Sequence, residues 1–164
     1  MKFGIVCISD RCFQGSVSDK SGPAIEECVA ALMTDKEYRL VPDEKEMIIA
    51  CLIELCDSCA CDIIFTTGGT GFAPRDITPE ATLAVIEKQV PGISEAIRAE
   101  SLKITSRAML SRAVSGIRGK SLIINLPGSP KAVRESIGIV YPILEHAVET
   151  LSGNTQSCGG NYGK

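Results

Sequence analysis

Four short runs of apolar and β-branched residues, Phe3 to Ile8, Tyr38 to Val41, Ile63 to Thr67 and Leu122 to Leu126, limit most strongly what this chain can become. Each is too short for a helix, and the apolar residues run on instead of alternating, which marks strands buried on both faces. Helical patterns fill the intervals: Pro23 to Met33, Glu44 to Cys56, Pro79 to Val90, Ser94 to Thr105 and Pro130 to Leu151. Thr78 before Pro79 and Ser129 before Pro130 each place a capping hydroxyl ahead of a first-turn proline. Pro142 is expected to bend or split the last helix. Such alternation predicts an α/β fold in which a mostly parallel sheet is covered by helices on both faces. With 164 residues, 45% hydrophobic and 23% charged, the chain fits one compact domain, read as residues 1–152. The Gly- and Asn-rich tail, 153–164, reads as loose.

Charge narrows the partners. A net charge of -3, from 17 basic and 20 acidic residues, gives no field suited to a nucleic-acid backbone or an anionic membrane. No run approaches the ~20 apolar residues of a membrane helix, and the apolar stretch near the N-terminus is too short for a secretory signal, so a cytoplasmic location is expected.

In open parallel sheets, ligands bind outside the carboxyl ends of the strands. The residues that follow the four runs are Ser9, Asp10 and Arg11; Pro42 and Asp43; Gly68 to Gly71; and Pro127, Gly128 and Ser129. Carboxylates, hydroxyls and bare amides on one edge suit a phosphate ligand with a divalent cation, since glycine turns and helix starts present N–H groups and Mg²⁺ takes one or two carboxylates plus phosphates. The glycines can equally serve only positive φ angles, and Asp10 and Asp43 can simply cap turns or helix starts.

Other chemistries fail for want of residues. Gly119-Lys120-Ser121 ends like a P-loop, but Val114 stands where the first glycine belongs, and the segment enters a strand. The string after the third run lacks dinucleotide-fingerprint spacing. One histidine, His146, in a helical setting, leaves no basis for a Ser-His-Asp triad or a Cys-His pair. Cys51, Cys56, Cys59 and Cys61 lie close together, but without a second pair of thiolates they read as apolar packers at a helix end and a strand entrance, not as a zinc site. What remains is catalysis by positioning and electrostatics, as in phosphoryl and nucleotidyl transfer.

Several strings carry a resemblance: SDR at 9–11, DKSGPA at 19–24, VPDE at 41–44, TTGGTGFAPRDITPEAT at 66–82, ESLKIT at 100–105, MLSRAVSGIRG at 109–119 and IINLPGSPKAV at 123–133. In content and order they resemble the MogA-type molybdopterin adenylyltransferase family, whose relatives include the G domains of the plant molybdenum-cofactor enzyme and of gephyrin. The resemblance implies a three-layer α/β/α fold, a homotrimer, and transfer of AMP from Mg-ATP to the terminal phosphate of molybdopterin with release of pyrophosphate. A molybdenum insertase is the implied candidate partner for the product.

By motif, Asp43 and Asp76 match the family's functional carboxylates and the implied Mg²⁺ positions. Thr67, Gly68, Gly69, Thr70 and Gly71 match its nucleotide-side loop. Arg75 either neutralises phosphate charge or pairs with a carboxylate. Ser9, Asp10, Ser111, Pro127, Gly128 and Ser129 fall on the molybdopterin side. The chain lacks the insertion of the MogA form before the C-terminal helix and is there more similar to the plant and gephyrin form. Two rivals share the fold: a module that binds molybdopterin without catalysis, and a phosphatase or nucleotide-processing enzyme that needs no pterin.

Overall fold

The structure is a computed structural model and describes residues 1–153; the tail expected to be loose lies, apart from Gly153, outside the described residues. Its centre is a six-stranded sheet in the order β2-β1-β3-β6-β5-β4. The strands are β1 (Lys2–Ile8), β2 (Asp35–Val41), β3 (Ile63–Thr67), β4 (Lys88–Gln89), β5 (Ser115–Arg118) and β6 (Ser121–Leu126). β2, β1, β3 and β6 run parallel, whereas β5 is antiparallel to β6 and β4 antiparallel to β5. The expected α/β sheet is therefore present, mixed at one edge.

Period-two alternation divides the apolar strand residues between two cores. Phe3, Ile5, Ile63, Phe65, Leu122, Ile124 and Leu126 face one side, where the Phe3 and Phe65 rings stack with centroids 6.0 Å apart. That layer is covered by α2 (Ser21–Val29), α5 (Pro91–Leu102), α6 (Pro130–Val140) and α7 (Leu144–Leu151). Val6, Ile8, Ile64 and Ile123 face the other side, against α3 (Lys45–Ile53) and α4 (Thr78–Val85). Burial of each such side chain contributes about 1.5–3 kcal/mol, so both helical layers are anchored through strand residues. Among the described residues no helix is long and apolar enough to cross a membrane.

Several expectations need correction. The helix expected over 79–90 ends at Val85, because the chain turns extended at Ile86 (φ -72°, ψ 145°) and goes on into β4. Thr78 is not its cap: it is the first helical residue, and its hydroxyl donates to the Gly68 carbonyl at 2.9 Å. Ser129 does cap α6, accepting from the Ala132 amide at 3.3 Å. The first helical segment is α1 (Asp10–Phe13), a single turn capped by Ser9, and α2 starts two residues earlier than expected, where the Asp19 carboxylate accepts the Ser21 and Gly22 amides. α5 likewise starts at Pro91 and stops at Leu102, ahead of the expected 94–105. Pro142 splits the last helix through a 3₁₀ turn at Tyr141–Ile143, as its ring requires.

Cys51, Cys56 and Cys61 are buried in the α3 and α4 layer, and burial pushes their thiols up to about 11, 11 and 12, so they pack as neutral apolar groups. α3 runs into a π-helical turn, Glu54–Ser58, and the chain reverses through Ala60 at φ 51° to reach β3.

One buried polar residue ties the layers together. Asn125 on β6 donates from Nδ2 to Thr66 Oγ1 and to Thr82 Oγ1, both at 2.9 Å, and its Oδ1 accepts the Val114 amide at 3.2 Å. Asn125→Leu leaves those partners buried without a mate. It is expected to destabilise the fold by about 2–3 kcal/mol in urea titration, a cost set by unpaired buried groups rather than by lost volume.

Candidate functional site

The carboxyl ends of β1, β3 and β6 approach so closely that no side chain fits between them. Gly68, directly after β3, has φ +101°, and a Cβ built there would lie 2.2 Å from the Ile8 carbonyl oxygen. Beside it Thr67 Oγ1 donates to the Pro127 carbonyl at 2.7 Å, and Ser21 Oγ donates to that of Gly128 at 2.9 Å. The Gly-rich stretch thus serves both close backbone approach and a positive φ.

Around this junction opens a cleft of about 640 Å³. Of the residues expected to form the site, Ser9, Asp10, Asp43, Thr67, Gly68, Gly69, Asp76 and Gly128 line it. Thr70, Gly71, Ser111 and Pro127 instead line a second cavity of about 260 Å³ on the far side of the same loop, together with Arg98 and Arg107. Ser129 caps α6, and Arg75 lies outside both linings. The residues therefore form two neighbouring cavities with the 67–71 loop as the wall between them.

The carboxylates of the larger cleft are held in distinct ways. Asp10 and Asp43 exchange amide hydrogen bonds: the Asp10 amide donates to Asp43 Oδ2 at 2.8 Å and the Asp43 amide to Asp10 Oδ1 at 3.0 Å. Arg75 grips Asp10 with two donors at 3.0 Å and reaches Glu44 at 2.8 Å, so the pairing alternative holds for it. Arg75 holds the Asp10 carboxyl below the usual range. Asp43 shifts the other way, raised first by burial and further by the like charges of Asp10 and Asp76. Asp76 Oδ2 accepts the amides of Gly71 and Ala73, each at 3.0 Å, so part of the loop's donor set is committed to its own carboxylate.

Arg11, noted after the first strand but given no role, lines the cleft, and so do two residues that strand-end position did not single out: Lys20, and Asp19, which accepts from Tyr38 Oη at 2.9 Å. Asp19 and Lys20 both stand in DKSGPA, but a charged residue in a polar loop has no period to single it out.

Asp43 supplies the test of fit for a divalent cation. A partly desolvated carboxylate facing two like charges is stabilised by an added cation, and an all-oxygen donor set suits Mg²⁺. Among the described residues no three acidic, cysteine or histidine side chains are grouped to hold a metal by themselves, so a cation here would complete its shell with ligand phosphates and water.

A carboxyl whose folded pKa is raised weakens the fold once the pH exceeds the ordinary carboxylate range. Asp43→Asn keeps an acceptor for the Asp10 amide and removes the charge. It is expected to raise Tm at pH 7 by about 1–2 °C, equivalent to ~0.5 kcal/mol after allowance for solvent screening, and to lose that gain near pH 3, where Asp43 is protonated in both states. Calorimetric melts at the two pH values check this, and a lower Tm at pH 7 contradicts it.

The fold has close counterparts among known proteins. Residues 4–146 match the family described as "Probable molybdopterin binding domain". The chain is 46% identical over 154 residues to the molybdopterin adenylyltransferase of Helicobacter pylori strain J99, covering 92% of this chain and 88% of that protein. It is also 46% identical over 140 residues to the molybdopterin adenylyltransferase of Escherichia coli K12, covering 84% and 72%. Among solved structures, the molybdopterin biosynthesis enzyme MoaB of Thermus thermophilus superposes with a TM-score of 0.88 at 46% identity, covering 93% of this chain and 96% of that one. With the family matched across all six strands and both cavities, the chain belongs to the molybdopterin-binding domain family.

Proposed function

We propose that the chain adenylylates molybdopterin in molybdenum-cofactor biosynthesis. An oxygen of the pterin's terminal phosphate attacks the α-phosphorus of ATP, the bond from that phosphorus to the bridging oxygen breaks, and pyrophosphate leaves. The attacking phosphate is already ionised at neutral pH, so the site needs no strong base, consistent with the lack of any histidine in either cavity. The relatives named above as molybdopterin adenylyltransferases support this activity.

The observation that carries the proposal is that one cleft at the strand ends is lined by Asp10, Asp43 and Asp76 together with Lys20 and Arg11, with Asp10 and Asp43 locked to each other's amides and Asp43 raised by burial. Asp43 and Asp76 would hold Mg²⁺, which when bound offsets the charge of the triphosphate. Lys20 and Arg11 attract and orient the phosphates, and Gly68 and Gly69 let them approach the backbone closely. Arg75 keeps Asp10 ionised and turned toward the Asp43 loop. The two cavities on either side of the 67–71 loop suit two substrates that meet at one phosphate, with Thr67, Thr70, Gly71, Ser111, Pro127, Gly128 and Ser129 near the seam.

We further propose a homotrimer located in the cytoplasm, with a molybdenum insertase as recipient of the product. Leu102, Ile104, Met109 and Leu110 leave apolar surface on one segment beside the smaller cavity, which supports association. Light scattering should then give three times the 17.4 kDa chain mass.

Asp76→Asn tests the chemistry with little risk to the fold, because an asparagine oxygen can still accept the Gly71 and Ala73 amides. Pyrophosphate release from molybdopterin and Mg-ATP is expected to fall at least ~100-fold while Tm stays within a few degrees, on the scale of losing a transition-state charge contact. Near-normal release by the variant removes Asp76 from the chemistry. Pterin binding without release by the unaltered chain supports the non-catalytic module instead, and ATP hydrolysis without pterin supports the nucleotide-processing rival.

A further inference from the structure

The loop that carries Asp76 has little apolar contact to hold it. Residues 72–75 are exposed, Phe72 to 67%, so the path from Gly71 to Asp76 gains almost nothing from apolar burial. Hydrogen bonds must fix it: Arg75 reaches out to Asp10 and Glu44, and one residue outside both cavities supplies three more. Arg112 lies between the 3₁₀ turn at Ser106–Leu110 and the start of β5. Its amide donates to the Thr70 carbonyl at 2.9 Å. Its Nε donates to the Gly71 carbonyl at 2.7 Å and Nη2 to the Asp76 carbonyl at 2.8 Å, so the guanidinium brackets the loop at both ends. Nη1 pairs with Glu80 in the first turn of α4, which fixes the guanidinium from behind. Within this bracket the Asp76 carboxylate binds the Gly71 and Ala73 amides and completes the turn.

We propose that Arg112 is a positioning residue for Asp76: it holds the loop closed so that the carboxylate faces the larger cleft, without itself touching nucleotide or pterin. The assignment builds on Asp76 acting at the phosphate side of the proposed reaction. A planar fork of donors is needed, because two carbonyls and a carboxylate lie in different directions, and the point charge of a lysine cannot span them. Arg112 also joins the two cavities mechanically. Its chain neighbours Ser111 and Ala113 line the smaller one, while the loop it holds walls off the larger.

Arg112→Lys separates positioning from general stability when two quantities are read together. In the variant, hydrogen exchange at the Gly71 and Ala73 amides, followed by NMR, is expected to speed up at least ten-fold while Ile64 and Ile123 in the sheet keep their protection. In pyrophosphate-release assays kcat is expected to fall ten- to a hundred-fold, with KM for molybdopterin within two-fold. Glu80→Gln, which leaves Arg112 in place but weakens its anchor, is expected to give a smaller rise in the same two exchange rates. Unchanged exchange at Gly71 and Ala73 in both variants overturns the proposal, as does a kcat within two-fold of the unaltered chain in Arg112→Lys. Loss of protection at Ile64 and Ile123 in step with the loop also overturns it, in favour of a general structural role. An unaltered chain that releases no pyrophosphate defeats the proposed reaction, while the exchange rates still decide whether Arg112 holds the loop.

Discussion

Close contact between backbone at the ends of β1 and β3 is the constraint from which the site follows. The Ile8 carbonyl would lie 2.2 Å from any Cβ at position 68, so only glycine permits the two strands to end side by side. Gly128 continues the contact: a Cβ there would be 3.4 Å from the Gly68 Cα, already at van der Waals distance. With three strand ends drawn together, the loops after them have to diverge, and the space they leave is the cleft. Thr67, Ser21 and Thr78 then spend their hydroxyls on the carbonyls of Pro127, Gly128 and Gly68, which fixes the rim without drawing on the carboxylates.

Electrostatics within that frame are deliberately uneven. Asp10 is neutralised by Arg75, whereas Asp43, bonded to the same backbone, has no cation of its own among the pairs seen and is raised by burial. Two acids a few residues from their strand ends therefore take different parts. One is paired with an arginine, and the other accepts the Asp10 amide with no ion pair beside it. Asp76 falls between them, engaged with its own loop through one oxygen and facing the cleft. Under the proposed function, such a division would let the site take a cation that arrives with phosphates, although among the described residues no side-chain cluster forms a metal cage.

The parallel part of the sheet was legible because its strands are apolar over their whole length. β5 and β4 were not. Ser115 to Arg118 contains Gly116, whose missing side chain makes room for Ile86 and for the Lys88 carbonyl, so the feature that lets the edge strands pair also erases their hydrophobic signal. Strand-end reasoning found Asp10, Asp43 and the glycine loop, since position alone places them. Asp76 came from the resemblance, because its place depends on a loop held by hydrogen bonds. Ser111 was grouped with Ser9 and Asp10 on the molybdopterin side, but it opens on the smaller cavity while they line the larger one, a distinction that depends on how the 67–71 loop folds between them. Arg112 went unnoticed for a related reason: its partners are backbone carbonyls far away in sequence, which no pattern of residue types encodes.

That nucleotide phosphates and their cation enter the cleft at the carboxyl ends of β1 and β3 is the central claim, and paramagnetic NMR tests it most directly. With Mn²⁺ in place of Mg²⁺ and ATP present, amide signals of Asp43, Gly68, Gly69 and Asp76 should broaden strongly, and those of Ser101 to Arg107 beside the smaller cavity should broaden less. Broadening centred on Ser101 to Arg107, with Asp43 and Asp76 left sharp, would contradict it.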